Sequence, residues 1–324
     1  MLPIAIDAMG GDHAPDAIVE GARQAALERG VPVVLVGRPG EVDPLRGDLE
    51  LIAASQVISM DADPGPSVRK MKDSSLVRAA EAVRDGRASA MVSAGNTGAA
   101  MAAALLRMGR IKGVARPAIA TPIPVPGSTP TVLLDAGANA ECQPAWLVQF
   151  AQMGATFARE RYGVAEPRVG LLSIGEEASK GNPLVKEAHA LLSAGVLGGA
   201  GATFVGNVEG RDIMTPEVDV VVTDGFTGNV ALKTLEGGMR SLVTAVLEAL
   251  GGTDVADAAL GALLPLYTTL DPDQTGGAML LGVDGVCIIS HGSSSATAIV
   301  NATRVAAEMG EAGIVERLRA AVAS

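Results

Sequence analysis

Only two cysteines, Cys142 and Cys287, occur in 324 residues, and they lie far apart without metal-type spacing. A disulfide framework and a zinc site are therefore not expected. Aromatic residues make up 2% of the chain, so a core must be built from Ala, Val, Leu, Ile and Met. Acidic residues outnumber basic ones, 36 against 25, for a net charge of −11. A chain this acidic carries no electrostatic footprint for nucleic acid. Long apolar runs are missing too. The uncharged stretch from Pro117 to Leu134 holds five prolines, which forbid a helix there. The uncharged stretch from Ala88 to Leu106 is centred on Ser93-Ala94-Gly95-Asn96-Thr97-Gly98. That centre reads as strand, loop and helix rather than a membrane span. The first residues, Met1 to Asp7, show no basic leader and too short an apolar run for a signal peptide, so a cytoplasmic protein is expected.

Familiar catalytic signatures are also missing. No Gly-Lys-Ser/Thr is present, which excludes a P-loop. The nearest dinucleotide fingerprint, Gly199-Ala200-Gly201-Ala202-Thr203-Phe204, fails at its last glycine and precedes a strand. Gly292-Ser293-Ser294-Ser295-Ala296 misses the nucleophile elbow at its last residue. Dehydrogenase, kinase and serine-hydrolase readings are weakened accordingly.

What is present is glycine, 40 residues of it, and an apolar fraction of 48%. Continuous apolar runs predict strands at Ile4–Ala8, Val33–Val36, Ala90–Ser93, Thr131–Leu134, Val169–Ile174, Thr203–Val205, Val218–Thr223 and Val286–Ser290. Continuous rather than alternating runs imply burial on both faces and a largely parallel sheet. Helical patterns fall between them near 15–29, 74–85, 97–108, 144–162, 183–194, 228–250 and 293–309. The order βα, repeated, predicts a three-layer α/β/α doubly wound fold with a mostly parallel sheet. The organisation expected is a single two-lobed α/β catalytic domain over 1–324, with a helical hairpin excursion near 240–270. Proline-rich Pro117–Pro130 is the expected extended hinge or crossover between the lobes. No exact repeat is found.

The predicted strand ends carry the chemistry. Seven of them run into loops combining glycine with small polar or ionisable residues. They include Asp7 to His13, Ser93 to Gly98, Asp135 to Asn139, Ser173 to Glu177, Gly206 to Gly210, Thr223 to Asn229 and Ser290 to Ser294. In a parallel sheet such loops share one edge, where glycine N–H groups and helix N-termini receive anions. Each alone is an ordinary turn; seven together predict a shared substrate cleft. Of three histidines, His13 and His291 lie in such loops, while His189 reads as solvated on an outer helix. Lys180 and Lys233 are the basic residues nearest the strand ends. Arg69, Lys70 and Lys72, with Arg107, Arg110, Lys112 and Arg116, form a second basic region, either a solvated face or a dock for an acidic partner. Cys287 reads as core and Cys142 as packing near a helix start.

In this order the loops resemble the bacterial phosphate acyltransferase family of phospholipid synthesis. The matching stretches are DAMGGDHAP at the start, RKMKDSSLVRAAEAVRDGRASAMVSAGNTGAAM from Arg69, RIKGVARPAI from Arg110, DAGAN from Asp135 and SIGEEASKGN from Ser173. GNVEGRDI from Gly206, DVVVTDGFTGNVALKTLEG from Asp219 and GGAMLLGVDGVCIISHGSS from Gly276 complete a set spanning the chain. The chain departs from the family at Thr268–Thr275, where an aromatic more often stands beside the Gly276-Gly277 pair. The resemblance implies transfer of an acyl group from acyl carrier protein to inorganic phosphate. It also implies a fold like isopropylmalate dehydrogenase and phosphotransacetylase, a homodimer, no cofactor or metal, and loose association with the membrane.

Phosphate being the nucleophile, the enzyme must desolvate and orient it and stabilise the oxyanion at the thioester carbonyl. Phosphate binding is assigned to the loops of Gly10, Gly11, Gly95, Asn96, Thr97 and Gly98, helped by Lys180. Hydrogen bonds to oxyanion or phosphate are assigned to Asn96, Asn229 and His291. Asp12 and Asp224 are expected to orient a cationic or amide partner or act as a base, and Asn139, Asn182 and Lys233 to line the substrate cleft. A nicotinamide-dependent hydroxy-acid dehydrogenase on a similar fold is the first competing reading. A non-catalytic scaffold at the membrane is the second. Apolar stripes at Leu242, Val246 and Leu250 and at Ala259, Leu263 and Leu266 read as two helices broken near Gly251-Gly252, the second ending at Pro265 and Tyr267. Core or dimer packing is their common fate. No Lys or Arg occurs between Arg240 and Arg304, so weak membrane contact there would be apolar.

Overall fold

Alternate residues of each central strand face two separate cores, and this is why the strands read as continuous apolar runs. Ile4 and Ile6 pack in one core with Ala90 and Val92. Ala5 and Met91 pack in the other. The computed structural model describes residues 2–251, 253 and 256–323. The strands are β1 Ile4–Asp7, β2 Val33–Gly37, β3 Glu50–Ala53, β4 Ala90–Ser93, β5 Ala118–Ile123, β6 Thr131–Leu134, β7 Arg168–Leu172, β8 Thr203–Val208, β9 Val220–Val222, β10 Ala278–Leu281 and β11 Val286–Ile289. The helices are α1 Asp16–Arg29, α2 Pro39–Val42, α3 Pro64–Lys70, α4 Ser75–Arg84, α5 Thr97–Arg107, α6 Pro144–Tyr162, α7 Pro183–Ser193, α8 Gly225–Leu250, α9 Ala256–Leu270, α10 Pro272–Thr275, α11 Ala296–Glu311 and α12 Ile314–Ala323. Helices α1, α6 and α11 cover the first core, and α4 and α5 the second. The three-layer doubly wound architecture expected from the βα order is what the chain adopts.

The sheet has eleven strands in the order β3-β2-β1-β4-β11-β10-β5-β6-β9-β7-β8. Strands β3 to β11 in that order form one parallel block, and β6, β9, β7 and β8 another. Between them β10 is antiparallel to both β11 and β5, and β5 is antiparallel to β6. Three reversals leave the blocks pointing in opposite directions. The expectation of one parallel edge therefore does not hold, but the register staggers the blocks so that their strand ends meet: Ile289 of β11 ends level with Thr121 of β5 and Asp135 after β6 with Ile119, and the loops of both blocks face each other.

The Pro117–Pro130 segment also departs from expectation. Ala118–Ile123 is a central strand rather than a hinge, with Ala118 and Ala120 fully buried. Pro122 is tolerated because β5 pairs with β10 only through Ala118–Ala120. Its missing N–H therefore falls where no ladder bond is asked for on that side. The strand ladder and the two cores leave α8 and α9 apart. In α8, 26 residues long, only Gly225 and Gly228 are buried; in α9 no residue is. The core alternative for their apolar stripes is thereby excluded. Helix α9 also continues through Pro265 to Leu270 instead of ending there. Of the expected Gly251-Gly252 break, Gly252 lies outside the described residues. Among the described residues no helix is long and apolar enough to cross a membrane.

Candidate functional site

Asp7 ends β1 and organises the first group of loops. It is buried, and its carboxylate accepts hydrogen bonds from Ser93 Oγ at 2.8 Å and Met9 N at 3.3 Å. Burial pushes its pKa up, against hydrogen bonds from Ser75, Ser93 and Met9 that pull it down. A side chain at Gly10 would stand 2.7 Å from both Asp7 Oδ2 and Gly95 N, so the two loops meet backbone to backbone. Asp12 N donates to Gly292 O at 2.7 Å, which adds the loop after β11 to the cluster. Gly11, at φ 112°, makes that turn possible. Asn96 caps α5 through Ala99 N, and its amide donates to Met60 O and Ala62 O. Gly98 allows Pro64 of α3 to approach, since a Cβ there would lie 2.6 Å from Pro64 Cγ.

The second block repeats the device. Asp135 ends β6, is fully buried, and accepts from Ile119 N, Gly137 N, Ala138 N, Asn139 N and Asn139 Nδ2 at 2.7–3.2 Å. Burial again raises its pKa, against those bonds. Gly225 and Gly228 press on it as Gly10 presses on Asp7. Ser93-Ala94-Gly95-Asn96-Thr97-Gly98 and Thr223-Asp224-Gly225-Phe226-Thr227-Gly228 share the spacing S/T-x-G-x-T-G. Each follows the strand that neighbours the aspartate-ending strand. This inexact duplication was legible as a motif, although no exact repeat exists.

Helix α8 joins the two clusters. Asn229 in its first turn donates to Ala136 O at 3.2 Å, beside Asp135. Seven residues on, about 10 Å along the axis, Glu236 reaches the first cluster. There Glu236 accepts from Lys233 Nζ at 2.8 Å and faces His291 Nε2 at 3.2 Å. Burial would raise the Glu236 pKa, but hydrogen bonds and charges from His291 and Lys233 outweigh it and hold the carboxyl at about 2. Sequence reasoning missed Glu236. Its only local signal was the i,i+3 spacing from Lys233, which reads as a surface pair. These residues open on two adjoining cavities. One, of about 160 Å³, is lined by Thr97, Ile119, Asn229, Leu232, Lys233, His291 and Gly292 among others. The second, of about 890 Å³, shares Lys233, Glu236, Met239, Leu270 and His291 with it.

The structure thus brings His291, Lys233, Asn229 and Thr97 to one cavity, with Gly10, Gly11, Asp12, Gly95, Asn96 and Gly98 packed directly behind or beside it. Asn139 and Asp224 belong to the loops around β6 and β9, whose Ala136 and Asn229 line the first cavity while they themselves do not. Asn139 holds Pro117 O and Asp135, and Asp224 caps α8 by accepting from Thr227 N and Oγ1. Lys180 and Asn182 follow β7, one strand beyond β9, and line neither cavity. The Lys180 side chain lies over Gly175, and Asn182 caps α7 through Val185 N. His189 is held by Asn207 Oδ1 at 3.0 Å rather than solvated. Burial pushes the Cys142 and Cys287 thiols up to about 12, so neither is a thiolate nucleophile at neutral pH. Among the basic residues, Arg107 faces Glu81 at 3.6 Å, Arg110 donates to Ala115 O, and Arg116 lies over Trp146. Arg69, Lys70 and Lys72 are exposed and have no ion pair among the described residues.

An α/β chain whose cleft is built from such loops, with cations and amides but no activated thiol or serine elbow, has the makings of a phosphate-using acyl transferase. Solved structures agree on the fold. A phosphotransacetylase from Streptococcus pyogenes superposes with a TM-score of 0.64 at 18% identity, covering 97% of this chain and 94% of that one. A phosphotransacetylase from Staphylococcus aureus gives 0.62 at 18%, covering 95% and 94%. A 4-hydroxythreonine-4-phosphate dehydrogenase from Klebsiella pneumoniae gives 0.58 at 14%, covering 96% and 100%. The family model described as "Fatty acid synthesis protein" matches residues 2–317. The phosphate acyltransferase of Heliobacterium modesticaldum is 51% identical over 318 residues, covering 94% of this chain and 92% of its own. That of Elusimicrobium minutum is 47% identical over 335 residues, covering 99% and 96%. The chain belongs to the phosphate acyltransferase family, and it is an acyltransferase. The dehydrogenase reading is not favoured, since the Klebsiella dehydrogenase shares the fold alone, at 14% identity.

Proposed function

We propose that this enzyme converts acyl-acyl carrier protein and inorganic phosphate into acyl phosphate and free carrier protein, within one two-lobed catalytic unit. The observation that carries the reading is the Lys233–Glu236–His291 cluster standing where the glycine loops after β1, β4 and β11 converge. Phosphate sits at the loops of Gly10, Gly11 and Gly95–Gly98, near the N-terminus of α5, and needs no cofactor or metal. One of its oxygens attacks the thioester carbonyl carbon, and the tetrahedral oxyanion is met by donors from His291, Lys233 and Asn229. Collapse breaks the C–S bond, and the pantetheine thiolate leaves and takes up a proton. Lys180, in the loop after β7, contributes by attracting the anionic substrates. Asp12 flanks the phosphate loops and orients donors.

The acidic carrier protein docks on Arg69, Lys70 and Lys72. Helix α3 is tied to the phosphate loops through Asn96 and Gly98, so a partner held there stands at the cleft mouth. The exposed apolar faces of α8 and α9, with Leu242, Leu260, Leu264 and Leu266 at 41–65% exposure, support a homodimer contact and a weak apolar contact with the inner membrane surface of a cytoplasmic enzyme. Carrier-protein release from acyl-acyl carrier protein, measured with and without phosphate, tests the reaction. Release that does not depend on phosphate would end it.

A further inference from the structure

We infer that the larger cavity is the groove for the fatty acyl chain, running along one face of α8, and that Val243 and Leu247 set how long a chain it takes. The inference rests on the acyl-transfer reading above. The cavity begins at the Glu236–His291 contact and adjoins the smaller one, with Glu236, Met239 and His291 on the wall of both. From Glu236 its wall follows α8 through Met239, Val243 and Leu247, positions that share a helix face. Eleven residues of helix make a run of about 16 Å, a length that suits a long acyl chain and exceeds what a short acid needs. Tyr267 and Leu270 of α9 close the opposite wall.

The lining changes character along this path. Lys233, Glu236, Asp271, Asp273 and Ser293 gather at the His291 end, Arg240 and Thr244 stand midway along α8, and Met239, Val243, Leu247, Tyr267 and Leu270 supply the apolar wall. A thioester with a hydrocarbon tail matches this lining, with most charged groups at the reacting carbonyl and the apolar side chains along the tail. The volume matches as well. About 160 Å³ in the smaller cavity holds an anion and a carbonyl, whereas about 890 Å³ holds a chain.

Val243→Phe narrows the groove midway. Ala245→Phe adds the same ring on the far side of the helix, at an exposed residue outside the cavity, and serves as the control for folding. Transfer from hexadecanoyl and from octanoyl carrier protein is compared in wild type and both variants. Val243→Phe is expected to shift the ratio of long-chain to short-chain kcat/KM by at least about tenfold toward the short chain, the discrimination that one misplaced methylene commands in an apolar site. Ala245→Phe keeps the wild-type ratio. In parallel, a terminally labelled fluorescent hexadecanoate is titrated without carrier protein or phosphate. Weaker binding in Val243→Phe than in Ala245→Phe supports the groove independently of turnover. An unchanged chain-length ratio together with equal probe binding in all three proteins overturns it, even where the transfer reaction stands. A wild type that binds the probe through Val243 yet transfers no acyl group would end the transfer reading and keep the groove.

Discussion

Gly228 and Gly238 lie ten residues apart in the same helix, and the same substitution at each should act with opposite sign. A Cβ at Gly228 would stand 2.0 Å from the Asp135 carbonyl oxygen, 3.0 Å from its carbon and 3.1 Å from Thr223 Cγ2. The obstacle is backbone on a buried loop, so it cannot swing aside as a side-chain tip would. Relief requires α8 and the Asp135 loop to separate by about 1 Å, and overpacking of this severity costs about 3 kcal/mol or more. At Gly238 a Cβ meets nothing within 4 Å, and the position is in the helix interior. Alanine there lowers the entropy of the unfolded chain and stabilises by about 0.5–1 kcal/mol. Urea unfolding followed by circular dichroism should show the midpoint falling for Gly228→Ala and rising slightly for Gly238→Ala. Turnover should fall with Gly228→Ala even in undenatured protein, because Asn229 and the Asp135 loop move apart, and should hold with Gly238→Ala. Shifts of the same sign would refute the account of how α8 is anchored.

His291→Ala should lower kcat about a hundredfold, the usual loss for one preorganised donor, and wild-type turnover would remove it from the site; Lys180→Ala should raise KM more than it lowers kcat, and unchanged kinetics would remove it too. Glu236, held at about 2, stays ionised above its ordinary 4.5, so the stability it contributes is complete at higher pH and is lost only as pH falls from about 4.5 toward 2. Glu236→Gln should therefore lower the plateau of the kcat/KM profile, and a plateau at wild-type height would remove Glu236 from the site. For the carrier-protein dock, KM for acyl-acyl carrier protein should rise with salt and with Lys70→Glu plus Lys72→Glu; a KM flat in both would place the dock elsewhere. For the membrane, flotation with liposomes should depend little on anionic lipid and fall in Leu263→Glu plus Leu264→Glu, and a wild type that never floats removes the contact.

How much was legible follows from which signals are local. Strands β1, β2, β4 and β6 are buried on both faces, and their continuous apolar runs mark them with nearly correct ends. Strand β3, at the sheet edge, mixes exposed and half-buried residues and leaves no run to read. Strand β5 was hidden by Pro117 and Pro122, and β10 by its brevity after Gly276-Gly277. Missing these two central strands had a larger consequence, because they are the antiparallel ones. Without them the sheet reads as uniformly parallel, and the stagger that turns the loops of the two blocks toward each other cannot be seen. At the site, glycine loops and His291 could be found because they end strands. Asn96, Asn182 and Asp224 announced themselves equally, yet each is occupied in capping a helix. Glu236 could not be found, since its partner His291 is 55 residues away along the chain.

The duplicated loops explain why the chain has one proposed site and not two. Each block supplies a buried aspartate under a glycine loop and a neighbouring S/T-x-G-x-T-G helix start. The difference lies in what is placed beside them. In the first block β11 is inserted next to β4, and its following loop brings His291 and Gly292 against the cluster. In the second block the equivalent space is taken by Asn139 and by Gly228 of α8, which packs on the Asp135 backbone. That cluster is therefore an anchor held by its own hydrogen bonds, while its Ala136 and Asn229 border the first cavity. What it anchors is the helix that carries Lys233 and Glu236 across to His291. The two halves of the duplication thus have separate tasks: one holds the anion loops open, and the other fixes the helix that completes them.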